Sequence, residues 1–329
     1  MQLTTPVSNP PSSVSISHKS RLMFVGSCFA ENISSFFINA KFQCLVNPSG
    51  IVYNPLSLSR LFSQLTANKI YSDSDFFQLN GLYSCYDFHG SFSRADVGEA
   101  VSMANSSMNY ARNYLKTCDV LFITLGTAFV YFLAEDQLTA VSNCHKQPSS
   151  TFQRRLISVD EVAEALQKIV SLAATYNKDM RIVFTVSPIR HMKDGAHGNR
   201  ISKSSLFLGI EKVLAANEHC EYFPSYEILE DELRDYRFYA DDMVHPSQLA
   251  EKIIWQRIQE TYFSEQVRRD VSAVEKYMNA VHHRIQNPDS LETASFCQKN
   301  LSLAFDLEDR IEGLDLSAEK KYFKSFIFF

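Results

Sequence analysis

The sequence contains no long apolar run and no strong excess of charge of one sign. No stretch approaches the ~18 to 20 apolar residues that a membrane-spanning helix needs, so we expect no membrane association. The 32 basic and 37 acidic residues give a net charge of −5, and no basic region indicates a nucleic acid as partner. Residues 1–20 are polar and rich in serine and proline, unlike a secretory signal.

Cysteine is present, but not in a pattern typical of disulfides or metal sites. The seven cysteines are odd in number, scattered along the chain and without a Cys-x-x-Cys pair. This distribution favours reduced thiols in the cytoplasm and argues against a structural zinc site. His191, Asp194 and His197 are metal-ligand residue types, but their spacing matches no defined site. We therefore expect a cytoplasmic protein without a metal or another cofactor.

Buried strands and amphipathic helices alternate along most of the chain. Apolar runs at 22–25, 120–125 and 182–186 predict strands that are buried on both faces. Between them, apolar residues recur with helical spacing at 97–115 and 158–173. This alternation predicts a parallel sheet with helices on both faces, joined by right-handed crossovers.

The end of the sequence is helical in character. Apolar residues recur at spacings of four and three from Val267 to Ile285, which predicts a long amphipathic helix. The extension is expected to pack on the core or on a partner, and association of two copies through its helices is one such arrangement. The predicted divisions are a polar arm at 1–20, an α/β domain at 21–264 and the helical extension at 265–329.

Glycine is scarce, with ten residues in the chain, so the positions of glycines are informative. The run 22–25 ends at Gly26, followed by Ser27, Cys28 and an apolar-periodic segment. This predicts a strand, a tight turn and a helix, which places a side chain above a helix N-terminus at the sheet edge. A nucleophile at Ser27 or Cys28 is one interpretation, and a thiol in that place ionises easily. The other is structural: Gly26 packs, Ser27 caps the helix and Cys28 fills space.

A candidate acid–base pair lies further along, in the segment Asp242-Met243-Val244-His245-Pro246. A nucleophile needs a base, and the base needs an orienting group. The spacing of three residues lets the Asp242 carboxylate and the His245 imidazole converge in a tight turn. Pro246 suits the first position of a helix running to about Tyr262, which places His245 on a loop at the sheet edge. The alternative is that the carboxylates cap this helix and His245 is a surface residue.

Both segments carry a resemblance to a known family. Gly26-Ser27-Cys28-Phe29-Ala30 spells out the signature of the GSCFA family, which is grouped with the SGNH/GDSL-type esterases and acyltransferases. SGNH enzymes end with Asp-x-x-His, and the segment from Asp242 to His245 matches that block. The resemblance implies a flavodoxin-like three-layer α/β/α fold of the SGNH type and a catalytic triad. We therefore predict this fold, with a parallel sheet of about five strands and a C-terminal helical appendage.

The resemblance leaves the identity of the nucleophile open. The first block of SGNH enzymes reads Gly-Asp-Ser, with serine as the nucleophile. Aligned without a gap, that serine falls on Cys28 and the aspartate falls on Ser27. A shift of one residue places the serine on Ser27 instead. The implied catalytic residues are therefore Cys28 or Ser27, together with His245 and Asp242.

Other residues are candidates for binding the oxyanion or the substrate. Gly50 lies in a turn, where its N–H is a natural oxyanion donor. SGNH enzymes add an asparagine after the third strand; Gly126-Thr127 lacks one, so Asn143 is the candidate for that amide. The alternative to a binding role for the side-chain candidates is that they lie in polar, solvated loops. The remaining candidates for substrate contact are His145, Arg190 and His191.

We predict an esterase or O-acyltransferase that acts on an ester or thioester, including acyl groups linked to carbohydrate. Water as the acceptor makes it a hydrolase, whereas a sugar hydroxyl makes it a transferase. The expected partner is a small-molecule or carbohydrate acyl substrate. The alternative is a binding module, a degenerate hydrolase that holds a carbohydrate or a protein in the same cleft. The departures from the SGNH blocks favour the binding module, and the presence of both Asp242 and His245 favours the enzyme.

Overall fold

The computed structural model describes residues 5–8 and 12–327. The strands in this part of the chain are β1 (Arg21–Gly26), β2 (Gln43–Val46), β3 (Phe77–Leu79), β4 (Leu82–Ser84), β5 (Val120–Leu125), β6 (Phe129–Leu133), β7 (Ala140–Val141), β8 (Phe152–Leu156), β9 (Arg181–Val186) and β10 (Cys220–Tyr222). The helices are α1 (Cys28–Asn39), α2 (Pro55–Thr66), α3 (Val97–Leu115), α4 (Val159–Ala174), α5 (Gly195–Leu214), α6 (Ser225–Glu227), α7 (Gln248–Tyr262), α8 (Glu265–Val281), α9 (Leu291–Arg310) and α10 (Ser317–Lys324). A π-helical segment, Ile228–Glu232, continues α6.

Five strands form the central sheet in the order β10-β9-β5-β1-β2, and every neighbouring pair is parallel. Counted by their order in the chain, these strands are arranged 2-1-3-4-5, the flavodoxin-like order. The predicted parallel sheet of about five strands is confirmed. The strand order reverses at β1, and open α/β sheets bind ligands beyond the carboxyl ends of the strands at such a switch point.

The strands are buried on both faces because their apolar side chains alternate between two helical layers. In β1, Met23 and Val25 belong to the core that α2, α3, α4 and α5 cover. Leu22 and Phe24 belong to the opposite core, which α1 and α7 cover. The fold therefore has the predicted three layers, and the sheet is the middle one.

Two helix starts and one of the two smaller sheets differ from the sequence-based expectations. Helix α7 does not begin at Pro246, because Ser247 caps it and Gln248 is its first residue. The sequence also predicts a helix from about Lys203 to Ala216, but α5 begins at Gly195, since glycines in its first turn hide the helical period. Strands β6, β7 and β8 form a separate antiparallel sheet, between β5 and α4 in the chain, that the sequence does not predict. Strands β3 and β4 form a hairpin within 71–92, a segment in which the sequence indicates a strand pair or a lid.

The segment before β1, part of the predicted polar arm, packs on the core. Val14 and Ile16 are buried beside α1 and α7, because they alternate with polar residues along an extended segment. The Ile16 N–H donates to the Tyr262 carbonyl at the end of α7 (2.9 Å). The arm therefore contributes apolar surface as well as polar residues.

Helices α8, α9 and α10 form a third hydrophobic core. Val274 and Tyr277 of α8, Cys297 of α9 and Phe323 of α10 are buried in it. Val271, near the start of α8, is instead buried with α1 and α7, so α8 links the two cores. The domain boundaries and the association of copies through these helices stay predictions. Among the described residues, no helix combines the length and the apolarity that crossing a membrane requires.

Candidate active site

The turn after β1 is fixed by close backbone packing. Gly26 has a φ of +133°, and a Cβ atom there would lie 2.0 Å from the Thr124 carbonyl oxygen of β5. Only glycine fits such a position. The Gly26 N–H donates to Asn47 Oδ1 (2.9 Å), and the Ser27 N–H donates to the Thr124 carbonyl (3.1 Å). The residues that follow are therefore held at the switch point of the sheet.

The structure separates the two candidate nucleophiles by their accessibility. Ser27 is 1% exposed, and its Oγ is buried without a hydrogen-bond partner among the described residues. Cys28 is the first residue of α1, is half-buried and lines a pocket. Burial raises the pKa of the Cys28 thiol more than the N–H groups of Phe29 and Cys28 lower it. The helix N-terminus thus does not ionise this thiol in the resting protein, because desolvation outweighs it.

His245 lies on an exposed loop before α7, where Asp242 orients it. The His245 Nδ1–H donates to Asp242 Oδ2 (2.5 Å), which leaves Nε2 available to exchange a proton. Asp242 Oδ1 accepts the N–H groups of Val244 and His245, each at 2.9 Å. These hydrogen bonds lower the pKa of Asp242 to about 2, and the bond from the backbone N–H of His245 has the largest effect. The carboxylate is therefore ionised at neutral pH and stabilises a protonated imidazole.

A pocket of about 520 Å³ connects the two halves of the site. Its walls come from the ends of β1, β5 and β9, from the antiparallel sheet and from the loop before α7. Six of the sequence-based candidates line this pocket, namely Ser27, Cys28, Asn143, Arg190, His191 and His245. Asp242 lies behind His245, whereas Gly50 and His145 are not among the lining residues.

Gly50 and His145 have partners of their own. The Gly50 N–H donates to the Asn47 carbonyl (2.7 Å), which closes the turn that contains it. His145 Nε2 bonds to the Cys85 carbonyl (2.8 Å), and its ring packs against Phe77. Both residues therefore shape the loops around the pocket, and their donors are used within the protein.

The cationic side chains of the pocket are largely paired. Arg190 binds Glu230 through two nitrogens, the shorter contact being 2.6 Å, and Arg154 binds Asp194 at 2.5 Å. Burial, followed by the charge of Lys203, lowers the pKa of His191 to about 4, so this imidazole is neutral at pH 7. The pocket wall thus offers neutral hydrogen-bonding groups rather than a strong positive field.

Two residues of the site were not anticipated from the sequence. Tyr53, just before α2, lines the pocket. Lys203 of α5 is fully buried, and its Nζ donates to the carbonyls of Gly126 (2.7 Å) and Ser187 (2.6 Å). Burial lowers the pKa of this lysine to about 7. Lys203 thereby ties together the ends of β5 and β9, although a lysine on an amphipathic helix ordinarily indicates a solvent-facing position.

Comparison with known sequences decides the family. A sequence model of the GSCFA family matches residues 21–258, well over half of the chain. The chain belongs to the GSCFA family. A search of curated proteins found no match. Among solved structures, an acetyl xylan esterase (Est2A) from the rumen bacterium Butyrivibrio proteoclasticus is similar at 11% identity and a TM-score of 0.38. The similarity covers 76% of this chain and 64% of the length of that esterase.

The signature that names the GSCFA family has a physical reading in this structure. Gly26 lets β1 approach β5, and the Ser27 side chain is buried beneath the turn. Phe29 and Ala30 are each 1% exposed and pack α1 onto the sheet. Cys28 is the residue of the signature that remains partly accessible in the pocket. Four of the five residues are thus buried in the packing around the turn, and Cys28 is the residue of the signature that is partly accessible from the pocket.

Proposed function

We propose that this GSCFA-family protein is an acyl-transfer enzyme, an esterase or O-acyltransferase, in which Cys28 is the nucleophile and His245 the base. The observation that carries the proposal is the His245 imidazole, held by Asp242 at 2.5 Å and lining the same pocket as the Cys28 thiol. A nucleophile, a base and an orienting carboxylate are the parts that covalent acyl transfer requires.

Because burial raises the pKa of Cys28, acyl transfer at this thiol requires a base, and in this proposal the base is His245. Because the thiol is protonated at rest, His245 Nε2 takes its proton as Sγ attacks the carbonyl carbon. The negative charge that develops on the carbonyl oxygen lies near the N–H groups of Cys28 and Phe29, which begin α1 and have no intrahelical acceptor. The protonated imidazole then gives its proton to the departing alkoxide or thiolate. Water or a sugar hydroxyl resolves the acyl enzyme, with His245 again as the base.

The pocket supports a small-molecule or carbohydrate acyl substrate. Tyr53, Phe129 and Tyr131 supply aromatic surface, while Asn143 and the neutral His191 supply polar groups. Apolar walls with few polar groups are typical of small-ligand sites. The seven cysteines are unpaired, which supports a reducing compartment such as the cytoplasm.

The proposal is tested by trapping the acyl enzyme. The purified protein is exposed to a reactive aryl acetate at neutral pH, quenched in acid and mapped by peptide mass spectrometry. We expect an acetyl adduct on Cys28 in the wild type and none in His245→Ala. Cys144 is a matched internal control, since it is a second half-buried thiol that lines the same pocket.

The other outcomes are equally specific. Acetylation of Cys28 and Cys144 to the same extent, with or without His245, would show unassisted thiol reactivity and contradict the proposal. An adduct on Ser27 would move the nucleophile by one residue and make Cys28 structural. No His245-dependent adduct and no turnover would favour the alternative, a binding module for a carbohydrate or a protein. The raised pKa of Cys28 is the observation that favours this alternative.

A further inference from the structure

Several hydrogen-bond donors near Cys28 are used within the protein. The Gly50 N–H donates to Asn47, and the N–H groups of Gly126 and Thr127 both donate to the Tyr53 carbonyl (2.8 and 3.0 Å). Thr127 Oγ1 accepts the Phe129 N–H (3.1 Å) and bonds to the Ser202 hydroxyl (3.0 Å). These N–H and O–H groups are therefore not free to bind a substrate oxygen, and a donor for that oxygen has to be a group without a partner inside the protein.

Tyr53 carries such a donor in a fixed position. Its carbonyl is bonded to the turn after β5, and its ring packs edge-on against His191, with ring centres 5.6 Å apart. A Cβ atom at Gly126 would lie 3.1 Å from the Tyr53 ring, so the ring rests closely on this turn. Within the described residues, the half-buried Tyr53 side chain has no hydrogen-bond partner for its hydroxyl. Tyr53, which lines the same pocket as Cys28, thus combines a closely packed ring with a hydroxyl that has no partner in the described part of the chain.

We infer that Tyr53 is a further catalytic residue, whose hydroxyl donates a hydrogen bond to the substrate carbonyl oxygen as negative charge develops there. This inference rests on the proposed acyl transfer at Cys28. A fixed donor aimed at the developing charge stabilises the transition state more than the substrate. The phenol keeps its proton throughout, so the step adds no bond change to the reaction.

The electrostatics agree with this role. Burial raises the pKa of Tyr53, and a negative charge on Cys28 or on Glu31 raises it further. The phenol is therefore a protonated donor at neutral pH.

Asn143 is the rival donor for the same oxygen. Its Oδ1 accepts the His145 N–H (2.8 Å), so its amide nitrogen is the side-chain atom free to donate, and the residue lines the pocket. Asn143 belongs to the irregular segment after β7, whereas Tyr53 is bonded directly to the end of β5 at the switch point. Tyr53 is held more rigidly than Asn143 and lies closer to the turn after β1 that carries Cys28. A fixed donor is the better-organised one, and we therefore assign the role to Tyr53.

The test compares an aryl acetate with the aryl thionoacetate, in which sulfur replaces the carbonyl oxygen. Sulfur is a weak hydrogen-bond acceptor, so loss of an oxyanion donor harms the oxygen substrate selectively. We expect Tyr53→Phe to lower kcat on the acetate about 100-fold with little change in KM, and to lower it only a few-fold on the thionoacetate. Tyr277→Phe, which removes a buried and unpartnered hydroxyl in the third core, is the matched control and keeps wild-type kinetics.

Other results overturn the inference and are distinguishable from failure of the proposed function. Full activity of Tyr53→Phe, or equal losses on both substrates, would show that the hydroxyl does not bind the oxyanion while acyl transfer stands. An oxygen-selective loss in Asn143→Asp, but not in Tyr53→Phe, would assign the role to Asn143. A rise in KM alone would make Tyr53 a substrate contact. Absence of His245-dependent turnover in the wild type would remove the proposed function and this inference with it.

Discussion

The two halves of the candidate site are held in place by different forces. In the turn after β1, Gly26 and Ser27 are buried, and a glycine contact and backbone hydrogen bonds join them to β5. The acid–base loop is open to solvent, with 51% of the Asp242 side chain and 45% of the His245 side chain exposed. Its order comes from the Asp242 carboxylate, which accepts two backbone N–H groups and the imidazole, and from two backbone hydrogen bonds. The Ala240 N–H donates to the His245 carbonyl (2.8 Å), and the Met243 N–H donates to the Ala240 carbonyl (2.9 Å).

Because of this difference, we expect activity and stability to change independently in the exposed loop and together in the buried turn. Close-packed interiors tolerate little change in volume, so a substitution in the turn lowers the free energy of unfolding of the whole domain. Substitutions at exposed positions usually change the free energy of unfolding by less than about 0.5 kcal/mol. We expect variants of the loop to lose activity while they stay folded, and variants of the turn to lose both.

The largest expected effect is that of His245→Ala on acyl transfer. Removing the base leaves a protonated thiol, and we expect kcat/KM on an aryl acetate to fall at least about 1,000-fold, or about 4 kcal/mol of barrier. The urea midpoint is expected to stay at its wild-type value because the side chain is half-exposed. Steady-state kinetics and urea unfolding of one preparation check both statements. A variant that unfolds early would contradict the separation of the two halves.

Gly26→Ala is the corresponding change in the turn. The new methyl group would lie 2.0 Å from the Thr124 carbonyl oxygen in a backbone conformation with a φ of +133°. We expect the free energy of unfolding to fall by about 3 kcal/mol or more, measured by urea denaturation. Gly81→Ala is the matched control, since Gly81 has a φ of +78° but open space around its Cβ position. A loss in Gly81→Ala as large as that in Gly26→Ala would show that backbone strain, rather than packing, dominates at the turn.

Much of the sheet was predictable because its strands are apolar runs that end at informative residues. Val120 to Leu125 was predicted as a strand and is β5 with the same bounds. Capping patterns in the sequence also predict helix starts at Asn54 and Ser158, and these residues cap α2 and α4. The antiparallel sheet was not predicted, and its first strand, β6, follows the end of β5 after only three residues.

The site was harder to predict, because a sequence shows residue types and not their partners. Gly50 is a suitable donor by type, but its N–H closes its own turn. Lys203 was missed because its burial depends on two carbonyls that converge from different strands. Tyr53 was missed because an aromatic residue before a helix is indistinguishable from core. Asp242 and His245 are brought together, as expected from their spacing, because both lie in one short turn.

A smaller effect is expected from Asp242→Asn, which tests how much the exposed carboxylate contributes. The amide oxygen still accepts the N–H groups of Val244 and His245, so the loop keeps its shape. The negative charge that stabilises the imidazolium is lost, and we expect kcat to fall about 100-fold. Asp241→Asn, one residue away in the same exposed segment, is the control.

The pKa of Asp242 also fixes the form of the pH profile. Because this pKa is about 2, the carboxylate stays charged from pH 4 upward. Titration of Asp242 therefore contributes nothing to the kcat/KM profile above pH 4, and an acidic limb in that range that disappears in Asp242→Asn would contradict this expectation. Full activity of Asp242→Asn would show that Asp242 only shapes the loop.

The smallest expected effect concerns Lys203, which lies beneath the pocket and belongs with the buried half. Its pKa is lowered from the ordinary 10.5 to about 7 in the folded protein. Between these values the unfolded chain binds more protons, so the free energy of unfolding rises with pH, by about 1 kcal/mol per pH unit from this group. Below about pH 7 both states are protonated, and the contribution is constant.

Urea unfolding of the wild type and of Lys203→Met at pH 7, 8 and 9 gives the free energy of unfolding of each protein as a function of pH. The difference between the slopes of these two dependences is the contribution of Lys203. We expect the wild type to gain stability with pH relative to the variant, while the variant is less stable overall because the Gly126 and Ser187 carbonyls lose their donor. Lys212→Met, on the exposed side of the same helix, is the control and keeps the wild-type slope. Equal slopes in the wild type and in Lys203→Met would mean that the lysine is solvated in the folded protein. The region around Lys203 would then resemble the exposed loop rather than the buried turn.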